Sequence, residues 1–180
     1  SFIDPATLSP YLWFQPSDGS RIYEDNPPTN PAEVGDAILY YDDKGSSLAD
    51  AISTAGNAPL WQSSSGVYYF EFDGVNDNLN CGSPTTLANK AGITVVLGGY
   101  IASAGSGTKT LMSFLTGAGN TKFSIQREAG TGNISLNVRR ANSDANTQIL
   151  MAVADNVRFI LTVHVDYAST GNISIQLNNG

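Results

Sequence analysis

Apolar and polar residues alternate with a period of two along much of the chain, the spacing that sends successive side chains to opposite faces of an extended strand. From Val67 to Phe72 the run VYYFEF places Tyr68, Phe70 and Phe72 on one face and Val67, Tyr69 and Glu71 on the other. The rhythm returns in ITVVLGGYI (93–101), KTLMSFL (109–115), TKFSIQ (121–126), NISLNVR (133–139), VRFILTVHVDY (157–167) and NISIQL (172–177). The run after Asp155 is long and apolar on both faces, which predicts a central strand. Between the runs stand AGSG (104–107), GAGN (117–120), GTGN (130–133), ANSDAN (141–146) and STGN (169–172), which predict turns.

Helical spacing is nearly absent. SSLADAIST, Ser46 to Thr54, has Leu48 and Ile52 at i,i+4 and predicts one short amphipathic helix. Residues 18–36 hold three of the eight prolines within a polar stretch and predict a loop. Short strands at near-regular spacing predict an all-β fold of two stacked antiparallel sheets. The alternation puts Phe70, Phe72, Val95, Leu97, Phe159, Leu161 and Val163 in the buried set. No repeat, heptad or linker divides the chain, so residues 1–180 are expected to form a single domain, large enough to bury roughly 70% of the unfolded surface.

Composition sharpens this picture. Charged residues are 14% of the chain, against about 25% in an average soluble domain; few charges and many small polar residues suit strands joined by turns. The net charge of −7 argues against nucleic acid and anionic membrane surfaces, which need a clustered positive field. The acidity is uneven: residues 1–77 carry twelve acidic against two basic groups, net −10, and residues 78–180 four against seven, net +3. A particle charged in this way is suited to pack against copies or partners of opposite sign. No apolar run approaches the roughly 20 residues that span a bilayer, so membrane insertion is not expected. SFIDPATLSP lacks a basic n-region and an apolar h-region, and a soluble chain with its initiator methionine removed is expected.

The same residues offer little to catalysis. Glu71 and Asp73 in FEFD share a face but stand alone, which suits a solvated pair better than the two flanking carboxylates of a glycosidase. The one histidine, His164, excludes a His-type metal cluster and sits within LTVHVDY as a core or sheet-face residue; no G-x-S-x-G elbow accompanies it. Cys81, the only cysteine, has no basic neighbour to lower its pKa and reads as an inert thiol. GAGN and GTGN precede strands rather than helices, so they offer phosphate no helix N-terminus. Arg127, Arg139 and Arg140 form the one basic cluster, and alternation sends Arg139 and Arg140 to opposite faces. No enzyme, catalytic residue, metal or cofactor is expected.

FDGVND, Phe72 to Asp77, resembles the hallmark turn of the concanavalin A-like lectin and glucanase superfamily, particularly its laminin-G-like jelly rolls. LSPYLWFQPSDGS (8–20) resembles the opening strand and aspartate turn, YYDDKGSSLADA (40–51) the "DKSGNG" segment, and LNNG (177–180) the "VNG" hairpin. The resemblance implies a two-sheet antiparallel jelly-roll sandwich. Members bind glycans or calcium and some hydrolyse glucans, so the fold alone assigns no function. Asp73 and Asp77 are expected to brace the turn; the alternative is that they share a calcium ion. DPATLSPYLW joined to such a domain is also similar to proteins of tailed phages and prophages.

Two functions from different classes follow as expectations. The first is a non-enzymatic virion structural domain of a tailed phage, a decoration or tail-fibre-associated element made in the bacterial cytoplasm and contacting other virion proteins or copies of itself. The second is a carbohydrate-binding, lectin-like module for adsorption to cell-surface glycan, with Tyr40, Tyr41, Trp61 and Tyr69 as candidate sugar-stacking residues. At the chain's end, Ile173, Ile175 and Leu177 share a face and Asn179-Gly180 is a strong hairpin signal. The last strands of a jelly roll are therefore expected to be missing, either because the natural polypeptide runs on past Gly180 or because a neighbouring chain supplies the pairing.

Overall fold

The computed structural model describes residues 5–47, 49–82, 91–102, 106–115, 121–139, 147–167 and 172–179. Among them are twelve strands and two short 3₁₀ turns, Pro5–Leu8 and Gly19–Arg21, and no α-helix. Every strand pairing is antiparallel. No helix among the described residues is long and apolar enough to cross a membrane. The chain divides into two compact units, Ser1–Asn89 and Lys90–Gly180. The uneven acidity follows that division, since no charged residue lies between Asp77 and Lys90: the first unit carries −10 and the second +3.

The first unit is built from short pieces. Strands β1 (Ile22–Tyr23), β2 (Tyr40–Tyr41) and β3 (Ala51–Ile52) form a small sheet in that order, and β4 (Leu60–Ser64) pairs with β5 (Val67–Glu71) in a hairpin. The two residues joining β4 to β5, Ser65 at φ 53° and Gly66 at φ 77°, both have the positive φ that a tight type I′ turn requires. Ile22, Ala32, Ile38, Tyr41, Ala51 and Trp61 make the buried core, with Phe14, Phe70, Leu79 and Cys81 packed against it. The expected loop at 18–36 is anchored rather than free: Ile22 and Ala32 enter the core, and the Ala32 N–H donates to the Ile22 carbonyl at 2.9 Å.

The second unit carries the longer strands: β6 (Gly92–Tyr100), β7 (Lys109–Leu115), β8 (Thr121–Arg127), β9 (Asn133–Val138), β10 (Thr147–Ala152), β11 (Arg158–Asp166) and β12 (Asn172–Asn179). They form a four-stranded sheet, β10-β9-β8-β7, and a three-stranded sheet, β12-β11-β6. Both contribute to one core, Phe123, Ile125, Ile134, Leu136 and Val138 from the first sheet and Val95, Phe159, Leu161, Val163 and Val165 from the second. Two antiparallel sheets closing on a shared apolar layer are the arrangement of a β-sandwich. Strand β11 is central, as expected, but only one of its faces is apolar and buried; the other carries Arg158, Ile160, Thr162, His164 and Asp166.

The structure departs from the sequence reading in several places. Ser46 to Thr54 is not helical: bends at 45–47 lead through Asp50 into β3. Its backbone N–H groups are taken elsewhere, Ser46 donating to Pro10 at 3.1 Å and Ser47 to Tyr11 at 2.9 Å, while Asp50 accepts the Asp43 N–H at 3.0 Å. Polar side chains and a neighbouring segment thus outcompete the local helix. Phe72 is 48% exposed because β5 ends at Glu71 and Phe72 already belongs to the turn. Leu97 is half-buried against the core, and Val95, Phe159, Leu161 and Val163 are buried. Strands β1 to β4 and β10 had no alternating run long enough to announce them. The expected turns at 117–120, 141–146 and 169–171, with Leu48, Arg140 and Gly180, lie outside the described residues.

Candidate functional site

The first unit holds most of the chain's acidic and aromatic residues, and Asp18, Asp42, Asp43 and Asp50 meet around β2 and the segment that follows it. Asp43 is buried and accepts the Trp13 N–H at 2.8 Å, the Gly45 N–H at 2.8 Å and the Ser47 hydroxyl. Asp50 accepts the Tyr40 hydroxyl and the Asp43 N–H. Arg21 donates to Asp42 at 3.0 Å, and Lys44 lies 2.9 Å from Asp18 and 4.6 Å over the Trp13 ring. Gly45 passes so close to the chain at Tyr11 that a Cβ there would stand 2.3 Å from the Tyr11 carbonyl oxygen. The segment 40–50 therefore laces residues 10–18 onto the small sheet.

These contacts set the titration of the cluster. The Lys44 ammonium, then the Ser20 hydroxyl, hold the Asp18 carboxyl below the usual range. Burial raises Asp42 against the opposing pull of Arg21. Donation to Asp50, then burial, pushes the Tyr40 phenol up to about 12, and burial pushes Tyr41 up as well. Cys81 is pushed up to about 11, chiefly by burial, so at neutral pH it stays a thiol rather than a nucleophilic thiolate. Each carboxylate in the cluster already holds backbone, hydroxyl or cationic donors. The geometry is that of a brace.

The four candidate sugar-stacking residues are not brought together. Tyr41 is fully buried, packs edge-on against Phe70 with centroids 5.1 Å apart, and accepts the Gln15 N–H through its hydroxyl. Trp61 is also buried, its indole N–H donating to the Pro16 carbonyl at 2.9 Å. Tyr40 is half-buried on Asp50, on the opposite side of β2 from Tyr41. Tyr69 is 39% exposed and pairs with Gln62, on the face of the hairpin away from Trp61 and Phe70. Tyr68, which alternation assigned to the covered face, stacks over Trp61 at 5.7 Å and 29° and is 40% exposed. Its signal was the Ser65-Gly66 turn beside it, which makes β4 and β5 a two-stranded ribbon with little to cover it.

The remaining sequence candidates have plain structural places. Asp73 accepts the N–H groups of Val75 at 2.7 Å, Asn76 at 3.1 Å and Asp77 at 3.2 Å, while Asp77 accepts the Asp73 N–H at 2.7 Å. That is the bracing geometry expected of FDGVND. Glu71 is exposed at the end of β5. His164 lies on the exposed face of β11, within 2.9 Å of the Thr94 hydroxyl on β6. Arg127 is buried and paired with Asp155, so it belongs to the core of the second unit rather than to a basic surface. No group of three or more His, Cys, Asp or Glu side chains able to hold a metal occurs among the described residues.

Comparison with known proteins returns no significant match to any family, to any characterised protein or to any solved structure.

Proposed function

We propose that this chain is a non-enzymatic contact domain, a structural or decoration element of a tailed-phage particle with a laminin-G-like jelly-roll fold. The observation that carries this reading is the β4–β5 ribbon, whose face away from Trp61 presents Leu60, Val67 and Tyr69, all exposed. Exposed apolar side chains concentrated on one short ribbon mark a surface that meets another protein. Asp73, one of the two acids that catalysis would need, is occupied as a turn brace, which leaves the ribbon as the chemically distinctive surface. Mass spectrometry of purified particles tests the reading. Recovery of the chain from washed particles is expected; its confinement to the cytoplasm of infected or lysogenic cells would overturn it.

A second reading, a lectin-like module binding neutral cell-surface glycan, is favoured by Tyr68, whose ring is held against Trp61 with one side open. A ring fixed in this way suits the apolar face of a sugar. A glycan array with no positives, together with no heat of binding in millimolar sugar, would remove this reading.

A further inference from the structure

We propose that copies of this chain join face to face, the outer face of the β4–β5 ribbon of one copy lying flat on the outer face of β6 and β11 of the next. The contact gives the ribbon of the proposed contact domain a partner and so rests on that reading; it uses faces of strands within the chain and no free strand edge.

The outer face of β6 and β11 holds a glycine that no contact among the described residues requires. Strand β6 pairs with β11 in unbroken register from Gly92↔Asp166 to Tyr100↔Arg158, so the glycines at 98 and 99 make neither a bulge nor a break. Gly99 is required by the core, because a Cβ there would stand 2.5 Å from the Phe159 ring. Gly98 is exposed, and a Cβ there would meet no atom within 4 Å. Glycine weakens a strand interior and marks places where another group approaches closely. At Gly98 that group must come from outside the sheet.

The notch at Gly98 has apolar walls and one charged corner. Val96 and Tyr100 flank it on β6, Ile160 lies opposite it on β11, and all three are exposed. The Tyr100 hydroxyl donates to the Asn156 side chain at 3.1 Å, which holds the ring in place. Arg158, opposite Tyr100, is exposed and makes no ion pair among the described residues. The face is thus cationic at the Arg158 end and acidic at the Asp166 end.

The ribbon carries the complement in matching order. Val67, Tyr69 and Glu71 follow one another at two-residue steps on its outer face, with Leu60 opposite Glu71. Val96, Gly98 and Tyr100 are spaced by the same steps, and each row spans roughly 13 Å. With the strands aligned as in stacked sheets, Val67 meets Val96 of the partner subunit, Tyr69 enters the notch at Gly98 of the partner subunit, and Glu71 reaches Arg158 of the partner subunit. The reverse alignment carries Glu71 away from that cation and toward Asp166 of the partner subunit. The units agree in sign as well: the first carries −10 and the second +3, so ribbon and face attract.

The test is sedimentation equilibrium of the native chain up to hundreds of micromolar, alongside variants at exposed positions. The native chain is expected to self-associate. Glu71→Arg and Arg158→Glu each set like charges against one another and are expected to weaken association roughly tenfold or more, with unchanged circular dichroism spectra. The double variant, which restores the opposition of charge, is expected to recover it. Gly98→Val fills the notch and is expected to abolish association while leaving the melting temperature unchanged or higher, since a β-branched residue suits an open strand position better than glycine. A native chain that stays monomeric overturns the proposal, as does association that survives Gly98→Val, a Gly98→Val chain that melts lower, or a double variant no better than the singles. A monomeric chain that is nonetheless recovered from washed particles overturns this contact and leaves the contact-domain reading standing.

Discussion

The guanidinium of Arg127, on the core face of β8, is paired with the carboxylate of Asp155, which stands 28 residues along the chain in the turn before β11. Arg127 is 2% exposed and also donates to the Val153 carbonyl at 3.3 Å, while its Nε has no hydrogen-bond partner among the described residues. The pair ties the turn between β10 and β11 to the four-stranded sheet. Removing the carboxylate strands that cation in the core, whereas removing the cation leaves an acid that water already reaches.

The two single substitutions should therefore differ. Asp155→Asn is expected to cost about 3 kcal/mol, the low end for breaking a buried pair. Arg127→Met replaces the charge with an apolar chain of similar length and should cost about 1 kcal/mol or less, and the double variant should resemble Arg127→Met. Urea denaturation of the three proteins checks this, and equal losses for the two single variants would contradict the account.

Trp61 and Tyr69 come from the same hairpin but answer to different physics. Trp61→Ala empties a buried site under the ribbon and is expected to cost about 3–5 kcal/mol. Tyr69→Ser, on the opposite face, should change stability by about 0.5 kcal/mol or less and should instead impair whatever contact the ribbon makes. Thermal melts joined to a particle-attachment assay separate the two effects; a large loss of stability for Tyr69→Ser would place that ring in the core.

Gly45 is required by close approach. Gly45→Ala would set a methyl group 2.3 Å from the Tyr11 carbonyl oxygen, backbone against backbone, and is expected to cost about 2 kcal/mol or more. Because Ser46 and Ser47 donate to Pro10 and Tyr11 beside it, hydrogen exchange at those two amides should accelerate with the loss. Unchanged protection there would show that the segment yields without breaking its contacts.

Acid should act on Asp18 and Asp42 with opposite sign. The folded-state pKa of Asp18 lies below its ordinary value of 3.8, so its ion contacts add stability above that value, and the contribution is lost as pH falls through the lowered one. Asp42 is raised from 3.8, so the folded chain holds its proton more tightly and stability declines as pH rises from 3.8 through the raised value. Asp18→Asn is therefore expected to flatten the acid limb of a stability–pH curve, and Asp42→Asn to steepen it. Denaturant midpoints measured from neutral pH down to pH 3 decide the matter, and parallel curves for the two variants would refute it.

Alternation alone located β5, β6, β7, β8, β9, β11 and β12, because a half-buried strand writes its period of two directly into the chain. The residue types of FDGVND placed the braced turn at Asp73 and Asp77, whose side chains bond to backbone within a few residues. Such features depend on neighbours in sequence and so are legible there.

Tertiary structure decided what depends on distant partners. Strands β1 to β3 have two residues each and exist only because other segments pair with them. The stretch after Ser46 gave up its helical spacing because Pro10, Tyr11 and Asp43 compete for its polar groups, and Tyr41 and Trp61 went to the core while Tyr68 stayed partly open. Which strands lie side by side in a sheet, as β6 and β11 do, follows from pairings across tens of residues. Period and composition record which face of a strand is apolar, but the identity of the surface that covers it is a non-local contact, and no single run of sequence encodes that.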